Sequence, residues 1–233
     1  LHPEAKSEGA RSTLQQRFER EARATAGLRS VHTVDLYDFG VTEDGDFFYA
    51  MELLEGLDLE ELIRREGPLP PARVVHLLLQ ACDSLQEAHD QGLVHRDIKP
   101  SNLFVTKLGN WCDVVKVLDF GLVTMSQQDS GDQPTRLTME GKIAGSPTTM
   151  PPESALRGGA VADARSDIYS LGGVAWWMLT GRPVFDGDTP MAVVLQHVRD
   201  APGELRAACE TDVPEALETI VQRCLAKSPE DRF

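Results

Sequence analysis

The run His95-Arg96-Asp97-Ile98-Lys99-Pro100-Ser101-Asn102, followed by Asp119-Phe120-Gly121, constrains this chain more than any other feature. Asn102 lies five residues after Asp97, and a tight loop can bring both side chains to one cleft. Asn102 offers a neutral oxygen and Asp119 a charged one. Hard Mg²⁺ accepts such oxygens while keeping several waters and the phosphates of a substrate. Lys99 adds a cation. Phosphoryl transfer asks a protein mainly for positioning and electrostatic stabilisation. It needs metal ligands, a carboxylate to orient a hydroxyl, and a positive charge. The chain must therefore fold so that positions 97, 99, 102 and 119 meet.

In this order and at this spacing, the two motifs resemble the catalytic loop and metal-binding turn of the protein kinases. The resemblance is nearest to the bacterial serine/threonine branch and runs from near the first residue to the last. It implies an α+β, bilobal protein-kinase-like fold with a truncated N-lobe and a mainly α-helical C-lobe. It implies that Asp97 accepts a hydrogen bond from the substrate hydroxyl and takes its proton late. Lys99 resembles the loop lysine that meets the γ-phosphate of ATP, and lysine here is typical of Ser/Thr kinases. Asn102 and Asp119 resemble the Mg²⁺ ligands. His95 and Phe120 read as packing residues in a stack that links the lobes.

Phe47-Phe48-Tyr49-Ala50 is rich in aromatics and reads as a strand, with Met51-Glu52-Leu53-Leu54-Glu55-Gly56 after it. This segment resembles the last N-lobe strand and the hinge. The resemblance implies that adenine bonds to the backbone of Glu52 and Leu54, with Met51 as gatekeeper. Asp58 matches the acid that reaches the ribose, and Phe104 the floor of the pocket.

Gly145-Ser146-Pro147-Thr148-Thr149-Met150-Pro151-Pro152-Glu153 resembles the end of an activation segment, with Pro-Pro-Glu for the usual Ala-Pro-Glu. The resemblance implies that the Ser146 hydroxyl helps fix Asp97. It also implies a buried ion pair of Glu153 with Arg232, and Asp167 bonded to the catalytic-loop backbone. Arg96, just before Asp97, matches an arginine that clamps a phosphate on the activation segment. Hydroxyls are frequent in that segment, and Thr135 or Thr138 is the expected autophosphorylation site.

Leu1-His2-Pro3-Glu4 resembles the residues just after the strand that bears the phosphate-binding lysine, and no G-x-G-x-x-G occurs. The expectation is a fragment cut inside the N-lobe, weak in ATP binding and almost inactive alone. Glu21 matches the helix glutamate that pairs with that lysine. Leu14, Phe18, Ala22 and Thr25 recur at helical spacing as one buried face, with Glu19 and Arg23 as an i,i+4 pair outside.

Residues 1–54 read as the N-lobe remnant: one helix, then strands around Val34–Phe39 and Phe47–Leu53. Residues 55–233 read as the C-lobe. A helix opens at Pro70-Pro71 and runs to about Gln91, with Val74, Leu78, Cys82, Leu85 and His89 on one face. Leu93-Val94 and Leu103–Val105 read as short strands around the catalytic loop. Lys107–Val115 reads as a long connection. Asp167-Ile168-Tyr169-Ser170-Leu171-Gly172 opens a central helix. Its apolar run is about a dozen residues, short of the roughly twenty that span a bilayer. Pro214 starts a late helix through Cys224.

The 233 residues include 41% hydrophobic ones, enough for a core, and carry a net charge of −14. That charge disfavours a nucleic-acid substrate. The cysteines Cys82, Cys112, Cys209 and Cys224 form no C-x-x-C pair, so a zinc site is not expected, and they suit a reduced cytosol. Cys82 and Cys224 read as buried packing residues. The expected partners are proteins with Ser or Thr acceptors, and a second copy for autophosphorylation. The expected place is the cytoplasm, with any membrane anchor outside this chain. Two other readings stay open: a pseudokinase acting as a scaffold, if the chain truly starts at Leu1, and a small-molecule kinase of similar fold.

Overall fold

Residues 18–26 form a helix, α1, whose Phe18, Ala22 and Thr25 are buried while Glu19 and Arg23 pair at 3.2 Å on the outer face. This is one face of a 3.6-residue period. A computed structural model describes residues 18–42, 46–120, 146–157 and 161–233. Leu14, Thr135 and Thr138 lie outside these. Strands β1 (Leu36–Val41) and β2 (Phe47–Met51) form an antiparallel pair. β1 lies slightly further along the chain than expected, and β2 stops at Met51, short of Leu53. Phe18 packs on this pair, its ring 4.4 Å from Phe47, 4.8 Å from Tyr49 and 6.3 Å from Phe39.

A second sheet has the order β3 (Gly56–Asp58), β4 (Leu103–Leu108), β5 (Trp111–Val117), all antiparallel. Here the structure corrects two readings. Lys107–Val115 is no long connection: β4 and β5 extend through it and meet at a turn over Gly109-Asn110. Leu93-Val94 is not a strand, because neither residue has a neighbouring strand to bond. Gly56 is required where the chain leaves the 52–55 segment. A Cβ there would sit 2.0 Å from the Val105 carbonyl oxygen.

Helices α2 (Leu59–Glu66), α3 (Pro71–Asp90), α4 (Pro152–Arg157), α5 (Ala164–Thr180), α6 (Pro190–Arg199), α7 (Leu205–Ala208) and α8 (Glu215–Cys224) make up the rest. The core gathers around α3 and α5, with Leu77, Leu85, Tyr169, Met178 and Leu179 enclosed. The inner face of α3 is Val74, Leu77, Ala81, Ser84, Leu85 and Ala88. Cys82, expected inside, is exposed, and Leu78 and Cys224 are only half-buried. The buried face of α3 is thus rotated from the one expected. The small Ala81 and Ser84, not Cys82, let α3 approach its neighbours. α5 begins at Ala164, about one turn earlier than expected, because Asp163 caps it by accepting from the Arg165 N–H. Gly172 lets α8 close on α5: a Cβ there would lie 2.6 Å from the Cys224 Cβ. Among the described residues, no helix is long and apolar enough to cross a membrane.

Candidate active site

The loop 93–99 between α3 and the 3-10 turn Pro100–Asn102 is shaped from behind by Asp167 of α5. This buried carboxylate accepts from the backbone N–H groups of His95 and Arg96, each at 2.8 Å, and lies 2.8 Å from His89 Nε2. Arg96 is thereby held at φ 67°, in the left-handed region that non-glycine residues rarely enter. Bonds of charged acceptors to N–H groups are strong enough to sustain such a turn.

Asp97 is 9% exposed, and its neighbours hold it on every side. Lys99 Nζ lies 2.7 Å from Oδ2. Asn102 donates from Nδ2 to the Asp97 carbonyl at 2.8 Å and to Oδ2 at 3.3 Å. The Ser146 backbone N–H reaches Oδ1 at 3.3 Å. This last bond is a correction: the Ser146 hydroxyl does not fix Asp97 but pairs with Thr148 Oγ1 at 3.0 Å. The main chain of Ser146 bonds the carboxylate, and its hydroxyl is engaged within its own turn.

The residue before Asp119 is tied to the same loop twice. The Leu118 N–H donates to the Asn102 carbonyl at 2.9 Å. His95 Nε2 meets the Leu118 carbonyl at 2.7 Å. Phe120, on the other side of Asp119, is fully buried and packs against His95 with ring centroids 4.7 Å apart and the planes tilted by 48°. Asp119 itself takes φ 54°. The structure thus draws Asp97, Lys99 and Asn102 together and ties their loop to the segment that bears Asp119 through both neighbours of that residue. Because Asn102 spends its amide nitrogen on Asp97, its amide oxygen is left for another partner. That oxygen and the Asp119 carboxylate are hard donors of the kind Mg²⁺ takes, with water and phosphate completing its shell. The donor set thus fits the cation. Among the described residues, no group of three or more His, Cys, Asp or Glu forms a closed metal site.

The 52–55 segment carries an unexpected feature. Glu52 uses its side chain as well as its backbone: Oε1 lies 2.6 Å from Lys116 Nζ and accepts from the Asp35 N–H at 2.9 Å. Lys116 is buried and also donates to the Thr33 carbonyl at 3.2 Å. Sequence reasoning missed Lys116, although a charge amid Val114, Val115 and Val117 is itself a signal that a buried partner exists. Asp58 caps α2 by accepting from the Glu61 N–H at 2.8 Å. Phe104 pairs across the strands with Asp58 and is half-buried. Leu54 is half-buried and Met51 is 40% exposed at the end of β2.

Glu21 lies one turn along α1 from Phe18, on the side facing Tyr49. Burial pushes the Tyr49 phenol well above its usual range, and the charges of Glu21 and Asp119 act in the same direction. In the sequence Tyr49 reads only as a strand residue, yet its buried hydroxyl senses both carboxylates.

The stretch after Ser146 is fixed from below. Thr149 Oγ1 donates to the Ile98 carbonyl and Ser170 Oγ to the Thr149 carbonyl, both at 2.8 Å. Thr149 is therefore committed to the fold, unlike a solvated hydroxyl of a polar loop. Glu153 meets Arg232 through two parallel bonds of 2.8 Å, and Ser166 Oγ adds a third at 2.7 Å. Burial alone would raise the Glu153 carboxyl, but the bonds from Arg232 and Ser166 outweigh it and hold it below its ordinary value.

A model of the protein kinase domain family matches residues 4–233. The chain belongs to the protein kinase family. Among curated proteins, this kinase chain is 38% identical over 217 residues to the serine/threonine-protein kinase pkn3 of Myxococcus xanthus, covering 93% of the chain and 39% of that relative. It is 37% identical over 220 residues to the serine/threonine-protein kinase PknB of Mycolicibacterium smegmatis, covering 93% of the chain and 33% of the relative. Among solved structures it resembles the PknI kinase domain of Mycobacterium tuberculosis, with a TM-score of 0.69 and 27% identity over 95% of this chain and 74% of that one. The kinase chain spans about a third of the length of the curated relatives it matches.

Proposed function

We propose that this chain is the catalytic part of a serine/threonine protein kinase, transferring the γ-phosphate of ATP to Ser or Thr hydroxyls of proteins. The observation that carries the reading is the arrangement of Asp97: a carboxylate almost enclosed, yet held by Lys99, Asn102 and the Ser146 N–H beside the segment that bears Asp119. Asp97 orients the acceptor hydroxyl and takes its proton as the bond to phosphorus forms. Lys99, 2.7 Å from Asp97, would meet the transferred phosphoryl group. Asn102 and Asp119 would hold Mg²⁺, which when bound neutralises phosphate charge. The backbone of Glu52 and Leu54 would receive adenine, with Asp58 near the ribose. Glu21 would position the phosphate-binding lysine of the family. Arg96 would clamp a phosphate on Thr135 or Thr138, added by a second copy of the protein. The names of the relatives support the Ser/Thr specificity.

The test is transfer of labelled phosphate from ATP to protein serine and threonine by the intact gene product. Asp97→Asn and Asp119→Asn should each abolish most of it. Full activity in either variant, or none in the wild type with Mg²⁺ and ATP, would refute the reading.

A further inference from the structure

The sheet of β1 and β2 ends irregularly where β2 stops. Leu36 and Met51 are the last pair of the ladder there, and Asp35 and Glu52 come next. In an antiparallel sheet, two residues at a hydrogen-bonded position exchange both of their N–H···O bonds. Here the Glu52 N–H donates to the Asp35 carbonyl at 3.0 Å. The return bond goes elsewhere. Among the described residues, the Asp35 N–H takes Oε1 of the Glu52 side chain, at 2.9 Å, and not the Glu52 carbonyl. The carboxylate stands in for its own main chain.

Lys116 holds the carboxylate in that place. Its ammonium lies 2.6 Å from the same Oε1 and 3.2 Å from the Thr33 carbonyl, and its side chain is 7% exposed. The segment before β1 is laid along β5. The Val34 N–H meets the Val117 carbonyl at 3.0 Å, and the Val117 N–H meets the His32 carbonyl at 2.7 Å. That docking brings Asp35 and Glu52 to Lys116. In the β4–β5 ladder Lys116 stands directly opposite Phe104, so the two side chains leave the same face of the sheet. Phe104 is the expected floor of the base pocket, and the ion pair therefore adjoins the place proposed for adenine.

We propose that Glu52 and Lys116 are positioning residues whose paired side chains set the base preference of the nucleotide site. By taking the Asp35 N–H, the carboxylate keeps the Glu52 carbonyl out of the sheet and leaves it to accept from the exocyclic amino group of adenine. This rests on the reading of Glu52 and Leu54 as the adenine-binding backbone. A charged acceptor outcompetes a neutral carbonyl for an N–H, and the ammonium offsets the cost of burying that charge. Without the carboxylate the ladder closes in the ordinary way. The Glu52 carbonyl then turns to Asp35, and the site no longer reads the amino group.

The test measures, by calorimetry on the intact gene product, the binding of ADP and of purine riboside diphosphate, which lacks that amino group. The wild type should prefer ADP about threefold to tenfold, as expected for one neutral hydrogen bond. Glu52→Leu/Lys116→Met exchanges the whole pair for apolar groups, a change that buried ion pairs commonly survive. Its preference should fall below about twofold. Glu52→Gln/Lys116→Met returns an oxygen to the Asp35 N–H and should keep most of the preference. A merely structural role would move both variants alike. Preference kept in the leucine variant, or lost equally in both, would overturn the proposal and leave the adenine-binding backbone standing. A wild type that binds both nucleotides equally would overturn that reading and the proposal with it. Should the variants fail to fold, the wild type decides. ADP should shift the Glu52 carbonyl ¹³C resonance and purine riboside diphosphate should not; equal shifts, or none with ADP, would overturn the proposal.

Discussion

Glu153→Ala should destabilise the protein far more than a surface change, and the structure gives the reason. The Arg232 side chain is fully enclosed, while that of Glu153 is 13% exposed. All five guanidinium N–H groups are used: two bond to Glu153, and the others to the carbonyls of Arg165, Ala226 and Lys227. Removing Glu153 strands two donors and the countercharge, and arginine cannot shed its proton to escape. The loss should be about 3–5 kcal/mol. Arg232→Met orphans three carbonyls at about 1 kcal/mol each, and Glu153 keeps Ser166 and some water. Both changes remove the same pair, so the double variant should lose less than the sum of the singles. Urea unfolding followed by Trp176 and Trp177 fluorescence, read as a change in midpoint at constant slope, would measure this. A loss below about 1 kcal/mol for Glu153→Ala, or strict additivity in the double variant, would refute the account. The pH dependence has a definite sign. The folded-state value of Glu153 is lowered, so its contribution is present above the unfolded carboxylate value and fades as pH falls through the folded one. Glu153→Gln should flatten that acid limb.

Asp97→Asn should cut turnover by roughly 10²–10⁴-fold, the usual worth of a positioned base, with little change in KM for ATP. Steady-state kinetics on the intact gene product check this. Asp119→Asn, besides losing most of the transfer, should raise the Mg²⁺ concentration needed for nucleotide binding, read by titrating Mg²⁺ against a fluorescent ADP. Lys116→Met removes the buried partner of Glu52 and should cost about 3–5 kcal/mol in the same urea assay. Gly56→Ala puts a methyl group 2.0 Å from the Val105 oxygen. It should cost about 1–3 kcal/mol through forced backbone shifts, and a normal midpoint would show that the 52–58 segment yields more easily than described.

What could be read from the chain was short-range chemistry and periodicity. Asp97 and Asn102 are close in sequence, so any tight loop brings them together, and the buried face of α1 follows from its helical spacing. The resemblance carried the longer links, such as Glu153 to Arg232, because particular side chains marked them. Where nothing but packing decides, the residues were silent. Leu93-Val94 has the composition of a strand and no neighbour to bond, whereas Lys107–Val115 looks like a connection until β4 and β5 pair through it. Whether Ser146 reaches Asp97 by hydroxyl or by main chain depends on how closely two loops dock. The union of Asp35, Glu52 and Lys116 required three separate segments to come together. A linear chain displays which groups it owns and their local rhythm. Which of them must share a proton or a charge is settled only when distant segments exclude water between them.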